Sequence, residues 1–317
     1  MTKYRNKRVK ALVVIIFSFI SLSSSGQRKN VCFSFDDLPL ISYNITDSIM
    51  QKGLVTNLIN SLLKNRIPAI GFVNENKLYE NKRLNLSKVD LLKMWINNGL
   101  DLGNHTFSHP DYNTVSYNEY TRDILKGEKI SKEITGHRNM SIKYFRHPYL
   151  HMGNSKEKAD SLNAFLSGHG YTVAPVTIDN EDYIFASAYE KSKVNKDTAL
   201  MKQIGNDYII YMEKKLKYFE KQAIKLFGRN INQILLLHAS FLNSDYLDSL
   251  AGMFQKNNYD FISMDKTLED DVYKTEITKF GNWGISWIDR WALSAGKKGD
   301  FFEGEPVTPD YIVRLSK

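Results

Sequence analysis

A chain of 317 residues, 42% apolar and 25% charged, has ordinary globular composition and can bury a sizeable core without covalent staples. Its single cysteine, Cys32, excludes an intrachain disulfide. The formal charge of +8 falls by five, to +3, once the acid-free head of Lys3, Arg5, Lys7, Arg8 and Lys10 is set aside; no dense basic patch interleaved with aromatics remains, so no nucleic-acid partner is expected.

That basic head runs into an apolar stretch, residues 11–22, and then small polar residues at 23–26. This is the layout of a secretory signal peptide spanning residues 1–26. The apolar stretch is short for a membrane span. Export to a periplasmic, cell-envelope or extracellular location is expected, with membrane contact only if the leader is retained.

Residues 29–35 alternate Val31, Phe33 and Phe35 with Cys32 and Ser34, a strand pattern. The strand runs into Asp36 and Asp37. Adjacent acids repel and are costly to bury, so the pair is either a solvated turn or a metal ligand beside a general base. Residues 47–64 are predicted helical, with Met50, Leu54, Leu58, Ile59 and Leu62 on the apolar face. A short strand at 69–73 follows, then a helix at 88–98 stopped by Gly99, then a strand at 100–103. That strand leads into Asn104-His-Thr-Phe-Ser-His-Pro110. His105 and His109, four apart, can face one metal ion if the segment turns helically.

Residues 117–134 read as one long polar-faced helix. Tyr144 and Phe145 form a short strand ahead of Arg146, and residues 159–167 form a helix. The strand at 171–178 is interrupted by Pro175 and delivers Asp179 and Asp182. A long helical region at 199–226 precedes a very apolar strand at 233–237 that runs into His238. A helix at 246–256 and a strand at 260–263 complete the pattern. About seven strands, each followed by a polar loop and usually a helix, describe an α/β barrel with parallel strands. Such barrels carry their chemistry at the C-terminal ends of the strands. Residues 27–270 form the expected catalytic domain, and 271–317 a C-terminal extension packed on the barrel. In that extension Trp283, Trp287 and Trp291 recur every four residues, either as packing or as the lining for a sugar-like ligand.

The residues that end apolar strands are Asp36, Asp37, His105, His109, Arg146, Asp179 or Asp182, and His238. One carboxylate with two neutral imidazoles makes a three-ligand catalytic metal site that leaves a position for water. Ligand type favours zinc, with harder or redox-active divalent ions such as cobalt, manganese or nickel as alternatives. No Gly-x-Ser-x-Gly elbow points to a serine nucleophile. Glycoside hydrolysis by two acids would leave the paired histidines idle. His137 and His169 read as structural or surface residues, and Cys32 as core.

Ser34-Phe-Asp-Asp37, His105-Thr-Phe-Ser-His-Pro110, Arg146-His-Pro-Tyr149, residues 179–183 and Leu235-Leu-Leu-His238 closely resemble the five ordered motifs of the NodB-homology polysaccharide deacetylases, carbohydrate esterase family 4. The likeness spans residues 30–265. It implies a distorted (β/α) barrel of NodB type that hydrolyses N-acetyl groups on an amino-sugar polysaccharide or oligosaccharide. It also implies that Asp37, His105 and His109 hold one divalent metal ion and that Asp36 is the general base, oriented by Arg146. Tyr149 would offer its backbone N–H to the oxyanion. His238 would be the acid, with Asp182 as its carboxylate partner and Asp179 as the alternative. The expected partner is a carbohydrate substrate; no protein partner is implied. Leu38 replaces a frequent glycine and Tyr183 a frequent tryptophan, while His147 and His151 are candidates for shaping the cleft. Arg146 and His147 together also invite an anionic substrate. O-acetyl ester hydrolysis, a non-sugar amide and an inactive carbohydrate-binding protein are the competing readings.

Overall fold

The computed structural model describes residues 28–317. The expected leader, residues 1–26, lies outside the described residues. Among the described residues no helix is long and apolar enough to cross a membrane.

In chain order the elements are β1 (Lys29–Leu38), α1 (Ser48–Lys64), β2 (Ile70–Val73), β3 (Tyr79–Glu80), β4 (Arg83–Leu84), α2 (Leu86–Asn97) and β5 (Asp101–Asn104). Next come α3 (Tyr117–Lys126), α4 (Lys129–Gly136), β6 (Tyr144–Phe145), α5 (Lys156–Gly168), β7 (Thr172–Val173), α6 (Asp182–Val194) and α7 (Thr198–Phe227). The chain ends with β8 (Gln233–His238), α8 (Phe241–Lys256), β9 (Tyr259–Phe261), α9 (Met264–Leu268), α10 (Trp287–Ser294) and α11 (Asp310–Ser316). Side-chain caps start many of the helices. Asp47 accepts from Met50 N–H ahead of α1, Ser116 from Glu119 N–H ahead of α3, and Ser240 from Asn243 N–H ahead of α8.

Seven strands form one parallel sheet in the order β7-β6-β5-β2-β1-β8, with β9 paired to the start of β1; β3 and β4 make a separate hairpin. The sheet curls into a distorted (β/α) barrel with helices around it. Pro175 has no N–H to extend a ladder. The chain therefore leaves β7 and crosses to the other edge, where Ile178 bridges Leu235 of β8.

The two-residue period of β1 sorts its side chains. Phe33 meets Phe254 and Phe261 at 5.2 and 5.1 Å, and Phe35 meets Trp95 at 5.5 Å, all in the main core. Cys32 belongs to a second cluster with Ile70, Phe72, Tyr144, Ala174 and Ile234, the barrel interior. Burial pushes its thiol up to about 12, which leaves it a core group and not a nucleophile. Continuing the alternation, Ser34 and Asp36 follow Cys32 on the interior face.

Two local expectations change, and one open choice is decided. The helix foreseen at 117–134 is two helices, broken at Gly127. A Cβ at that position would lie 2.3 Å from the Thr106 carbonyl carbon and 2.4 Å from Phe107 N, so the chain packs there directly on the histidine segment. The sequence reading also lacked α6. Its buried face mixes Phe185, Ala186, Ala188 and Tyr189 with Asp182, Ser187, Glu190 and Ser192, so no apolar stripe marks it. Finally, Trp287 and Trp291 are 5% and 2% exposed and pack in the core, which rules them out as a ligand lining.

Candidate metal and acid–base site

A regular strand would send Asp36 and Asp37 to opposite faces. Instead the pairing register of β1 slips between Phe35 and Leu38, and Asp37 takes φ +62°. Such a bulge re-aims a side chain, and here it lets both acids line one cleft at the top of the barrel. Asp36 lies level with His238 in the β1–β8 ladder.

The histidine segment does not turn helically. It is a loop with left-handed backbone at Thr106 (φ +68°) and His109 (φ +58°). Asp123 of α3 shapes it by accepting from Phe107 N–H and Ser108 N–H at 2.9 and 2.8 Å and from the Ser108 hydroxyl at 2.7 Å. Asn104 accepts from Thr106 N–H at 2.7 Å, and the Thr106 hydroxyl accepts from His109 N–H at 3.0 Å. Both imidazoles then face Asp37: His105 Nε2 and His109 Nε2 lie 3.8 and 3.7 Å from its Oδ1.

These three side chains suit a small divalent cation. Ligands at about 2.0–2.2 Å from zinc in tetrahedral array sit about 3.4 Å apart, a small contraction from the separations here. His105 Nδ1 lies 2.8 Å from the Arg146 carbonyl oxygen. A carbonyl only accepts, so Nδ1 carries the proton and Nε2 keeps its lone pair. Burial pushes both imidazoles down to about 4, so they are neutral at pH 7. Burial opposes ionisation of Asp37, but Lys77 and the two histidines outweigh it and hold the carboxyl below its usual range. Lys77 Nζ is 3.1 Å from Oδ2, while Oδ1 is buried with no hydrogen-bond partner among the described residues. An orphaned anionic oxygen beside two imidazole lone pairs is the donor set a cation satisfies.

Arg146 is fully buried beneath this group. Its Nη1 lies 3.3 and 3.4 Å from the Asp36 oxygens, its Nη2 donates to the Ser34 hydroxyl at 3.0 Å, and its Nε donates to the Ala174 carbonyl at 2.7 Å. The guanidinium also covers the Phe72 ring at 4.6 Å. Burial raises the Asp36 carboxyl, and the Arg146 charge restrains that rise. Asp36 Oδ2 is 3.9 Å from His105 Nε2, next to the three donor atoms.

Across the cleft, His238 Nδ1 is 2.7 Å from Asp182 Oδ1, and Asp182 Oδ2 accepts from His238 N–H at 2.8 Å and from Asn243 Nδ2 at 2.7 Å. Tyr208 donates to Asn243 Oδ1 at 2.7 Å and fixes that amide. Burial alone would lower His238, but the Asp182 carboxylate prevails and pushes it up to about 9. Asp179, the alternative partner, instead accepts from Asn180 N–H at 2.8 Å, and burial pushes its carboxyl up to about 7. Tyr149, half exposed, sets its ring 4.5 Å from that of His109, on a backbone with φ +55°.

The cleft has a volume of about 940 Å³ and collects Asp36, Asp37, His105, His109, Tyr149 and His238 along one surface. Arg146 and Asp182 stand behind Asp36 and His238. His147 is buried with both ring nitrogens unpartnered among the described residues and does not line the cleft, and Arg146 is spent on Asp36. That removes the basis for an anionic-substrate reading. His151 does line the cleft and is held by Asp111 at 2.7 Å.

Lys77 and Glu190 are further site residues that sequence reasoning missed. No local pattern marks Lys77, and Glu190 lies in the unforeseen α6. Its buried Oε1 accepts from the Ser42 hydroxyl and from the N–H groups of Tyr43, Asn44 and Ile45 at 2.9, 2.9, 2.5 and 2.8 Å, building one wall of the cleft. Glu190→Ala strands the buried Ile45 N–H and three partly buried donors and should cost about 1–3 kcal/mol. Urea denaturation reads this directly, and an unchanged midpoint would contradict it.

A curled parallel barrel with this polar cluster at its strand ends is the NodB-type architecture. The structure is similar to a carbohydrate esterase family 4 pseudoenzyme from Bacillus anthracis, with TM-score 0.51, 13% identity and coverage of 76% of this chain and 66% of that one. It is similar also to a mutant pseudoenzyme of the same family with restored enzymatic activity, with TM-score 0.50, 15% identity and coverage of 76% and 68%. At these identities the likeness is one of fold. Residues 23–172 match the family described as polysaccharide deacetylase. That match, over a little under half of the chain, bears out the resemblance to the NodB-homology polysaccharide deacetylases, carbohydrate esterase family 4, that the motifs carry.

Two relatives carry names of activity. A chitin deacetylase from Colletotrichum lindemuthianum is 29% identical over 126 residues, which is 40% of this chain and 46% of that protein. A peptidoglycan-N-acetylglucosamine deacetylase from Bacillus cereus is 24% identical over 188 residues, 59% and 56% of the two chains. The chain thus spans about half the length of the curated relatives it matches.

Proposed function

We propose that this protein is an exported, metal-dependent hydrolase that removes N-acetyl groups from an amino-sugar polysaccharide or oligosaccharide. The observation that carries the reading is the meeting of Asp37, His105 and His109, whose donor atoms lie within 4.8 Å of one another, with Asp36 and His238 lining the same cleft. Residues 27–270 form the catalytic domain and 271–317 an extension of the same unit.

Asp37, His105 and His109 would hold the ion, with zinc favoured by the nitrogen and oxygen donors and cobalt, manganese or nickel as substitutes. A divalent ion so held supplies Lewis-acid polarisation of the acetyl carbonyl and a water of lowered pKa. Asp36 takes the proton from the attacking water, and its burial suits it to hold that proton. Arg146 keeps the Asp36 carboxylate in place through the whole cycle. The backbone N–H of Tyr149 donates to the oxygen on which negative charge develops. His238 gives its Nε2 proton to the departing nitrogen, since an amine leaves poorly unless protonated. Asp182 holds Nδ1–H and keeps the imidazole charged and aimed.

The same groups would cleave an O-acetyl ester or a non-sugar amide, where leaving-group protonation matters less for the ester. A resemblance in fold to a pseudoenzyme raises the alternative of a binding protein without turnover. Against that alternative stands the full set of donor, base and acid residues. The test is acetate release from N-acetylglucosamine oligomers, with matched O-acetylated xylan, after zinc is added to metal-free protein. Turnover of the amide identifies an N-deacetylase. Zinc binding without release of acetate from any substrate would overturn the hydrolase reading.

A further inference from the structure

Residues 281–290 lie beyond the stretch that matches the deacetylase family, yet through Gly284 this segment forms part of the cleft wall. Gly284 packs so closely that a Cβ there would lie 2.3 Å from the Tyr149 carbonyl oxygen and 3.3 Å from His151 Nε2. Arg290, in α10, is 1% exposed and reaches beneath this wall. Its Nη2 donates to the Leu150 carbonyl at 2.8 Å and to the Trp283 carbonyl at 2.6 Å. One nitrogen, with its two hydrogens, ties the strap to the loop that follows Arg146. At its other end α10 is pinned to the barrel by Trp287 N–H, which donates to the Val176 carbonyl at 2.7 Å.

The loop so tied is an unusual one. Tyr149 and Leu150 both adopt left-handed backbone, with φ +55° and +56°. Two adjacent non-glycine residues rarely hold that conformation unless their surroundings impose it. The guanidinium is unusual too. Among the described residues Arg290 Nε and Nη1 are buried with no hydrogen-bond partner, and burial lowers its pKa to about 10 against a weaker contribution from Asp289. A partly satisfied buried cation is a poor way to pack a core, since an apolar side chain of similar volume does so at lower cost. Retaining it at this position makes sense where a carbonyl must be held in one place. The carbonyls it holds belong to the residue after Tyr149 and to the strap that abuts the Tyr149 carbonyl.

We propose that Arg290 is a positioning residue of the site: it clamps the 283–284 strap onto the Tyr149–Leu150 turn and so sets the direction of the Tyr149 N–H toward the acetyl oxygen. The inference rests on the deacetylase reading for its catalytic consequence, but not for the clamp itself. The C-terminal extension thereby becomes part of the acyl-binding machinery of this chain.

The experiment compares the full-length, zinc-loaded protein with Arg290→Met and Arg290→Lys. Four quantities are read: hydrogen exchange of the amides at 149–151, zinc affinity by chelator competition, thermal midpoint, and kcat with KM. In Arg290→Met, exchange at 149–151 should quicken at least about 10-fold as local opening becomes easier. The value of kcat should fall about 10- to 100-fold, the size of losing a group that orients another. KM and zinc affinity should stay near wild type, and the midpoint should hold or rise as a buried charge is removed. Arg290→Lys, which restores one donor, should recover part of kcat. Unchanged exchange and kcat in Arg290→Met would overturn the proposal. So would a loss of kcat that merely follows a lowered midpoint and weakened zinc binding. If wild type shows no turnover while exchange still quickens in Arg290→Met, the deacetylase reading fails and the clamp stands.

Discussion

Replacing His105 by alanine is expected to reduce zinc affinity and acetate release by more than about 100-fold, since losing only an outer-shell partner of a ligand costs up to that much. The geometry makes His105 the most constrained of the three donors. Its ring is 2% exposed, and its Nδ1 is committed to the Arg146 carbonyl. Alanine removes the donor and leaves Asp37 Oδ1 with one imidazole instead of two. Asp37→Asn tests the other half of the set, because it keeps the shape and deletes the charge. The pH dependence carries a sign as well. Burial holds both imidazoles near 4, so protons should compete for them only in strong acid. Zinc affinity should therefore stay flat from neutrality down to about pH 5 and fall below it. Chelator competition across pH measures this. A His105→Ala protein that binds zinc like wild type would remove the metal assignment altogether.

Asp182→Asn is expected to lower kcat by about 10²- to 10⁴-fold, the usual range for losing acid–base assistance, and to move the alkaline limb of activity to lower pH. His238 is pushed up to about 9 because the Asp182 charge beside Nδ1 outweighs burial. Without that charge, burial, which favours the neutral ring, is opposed only by the smaller contributions of Asp37 and Asp36. The acid form would then be lost at lower pH than in wild type. Stability should show the same linkage. The folded value lies above the ordinary 6.5, so the His238–Asp182 pair contributes fully below pH 6.5 and its contribution is lost as pH rises through about 9. Denaturation midpoints of wild type should decline over that window, and those of Asp182→Asn should be flatter. A dication bound at Asp37 adds positive charge near His238 and should lower its titration point, which NMR of metal-free and zinc-loaded protein can compare. An imidazole that titrates identically in wild type and Asp182→Asn would sink the pairing.

The sequence showed most where the chemistry is local. Alternation in residues 29–35 and the apolar run at 233–237 revealed β1 and β8, because strand burial writes a two-residue period into the chain. The Asp36–Asp37 pair and the His105/His109 pair were visible because charged and imidazole groups at strand ends are rarely idle. Less visible was how they are aimed. The histidines converge through left-handed turns anchored on Asp123, and the acids through a bulge, and neither leaves a periodic trace. Helix α6 stayed hidden because it buries Asp182, Ser187, Glu190 and Ser192, which leave no apolar stripe to read. Lys77, Glu190 and Arg290 act through contacts that only the closed barrel creates. The tryptophan spacing in the tail left two readings open, because four-residue recurrence marks a buried helix face as readily as a ligand surface.

The central place of β1 governs how the molecule assembles. Its neighbour β8 comes from far along the chain: Asn30 donates to Asn232 across a separation of 202 residues. Joining them closes a very long loop, a slow step in topologies dominated by distant pairings. Until that closure Asp36 has no His238 opposite it, although Asp37, His105 and His109 can gather from the first half of the chain. On the proposed ligand set, metal capture can therefore precede catalytic competence during folding: the three donors can meet in a chain that still lacks its acid, with acetate release arriving only when β8 docks.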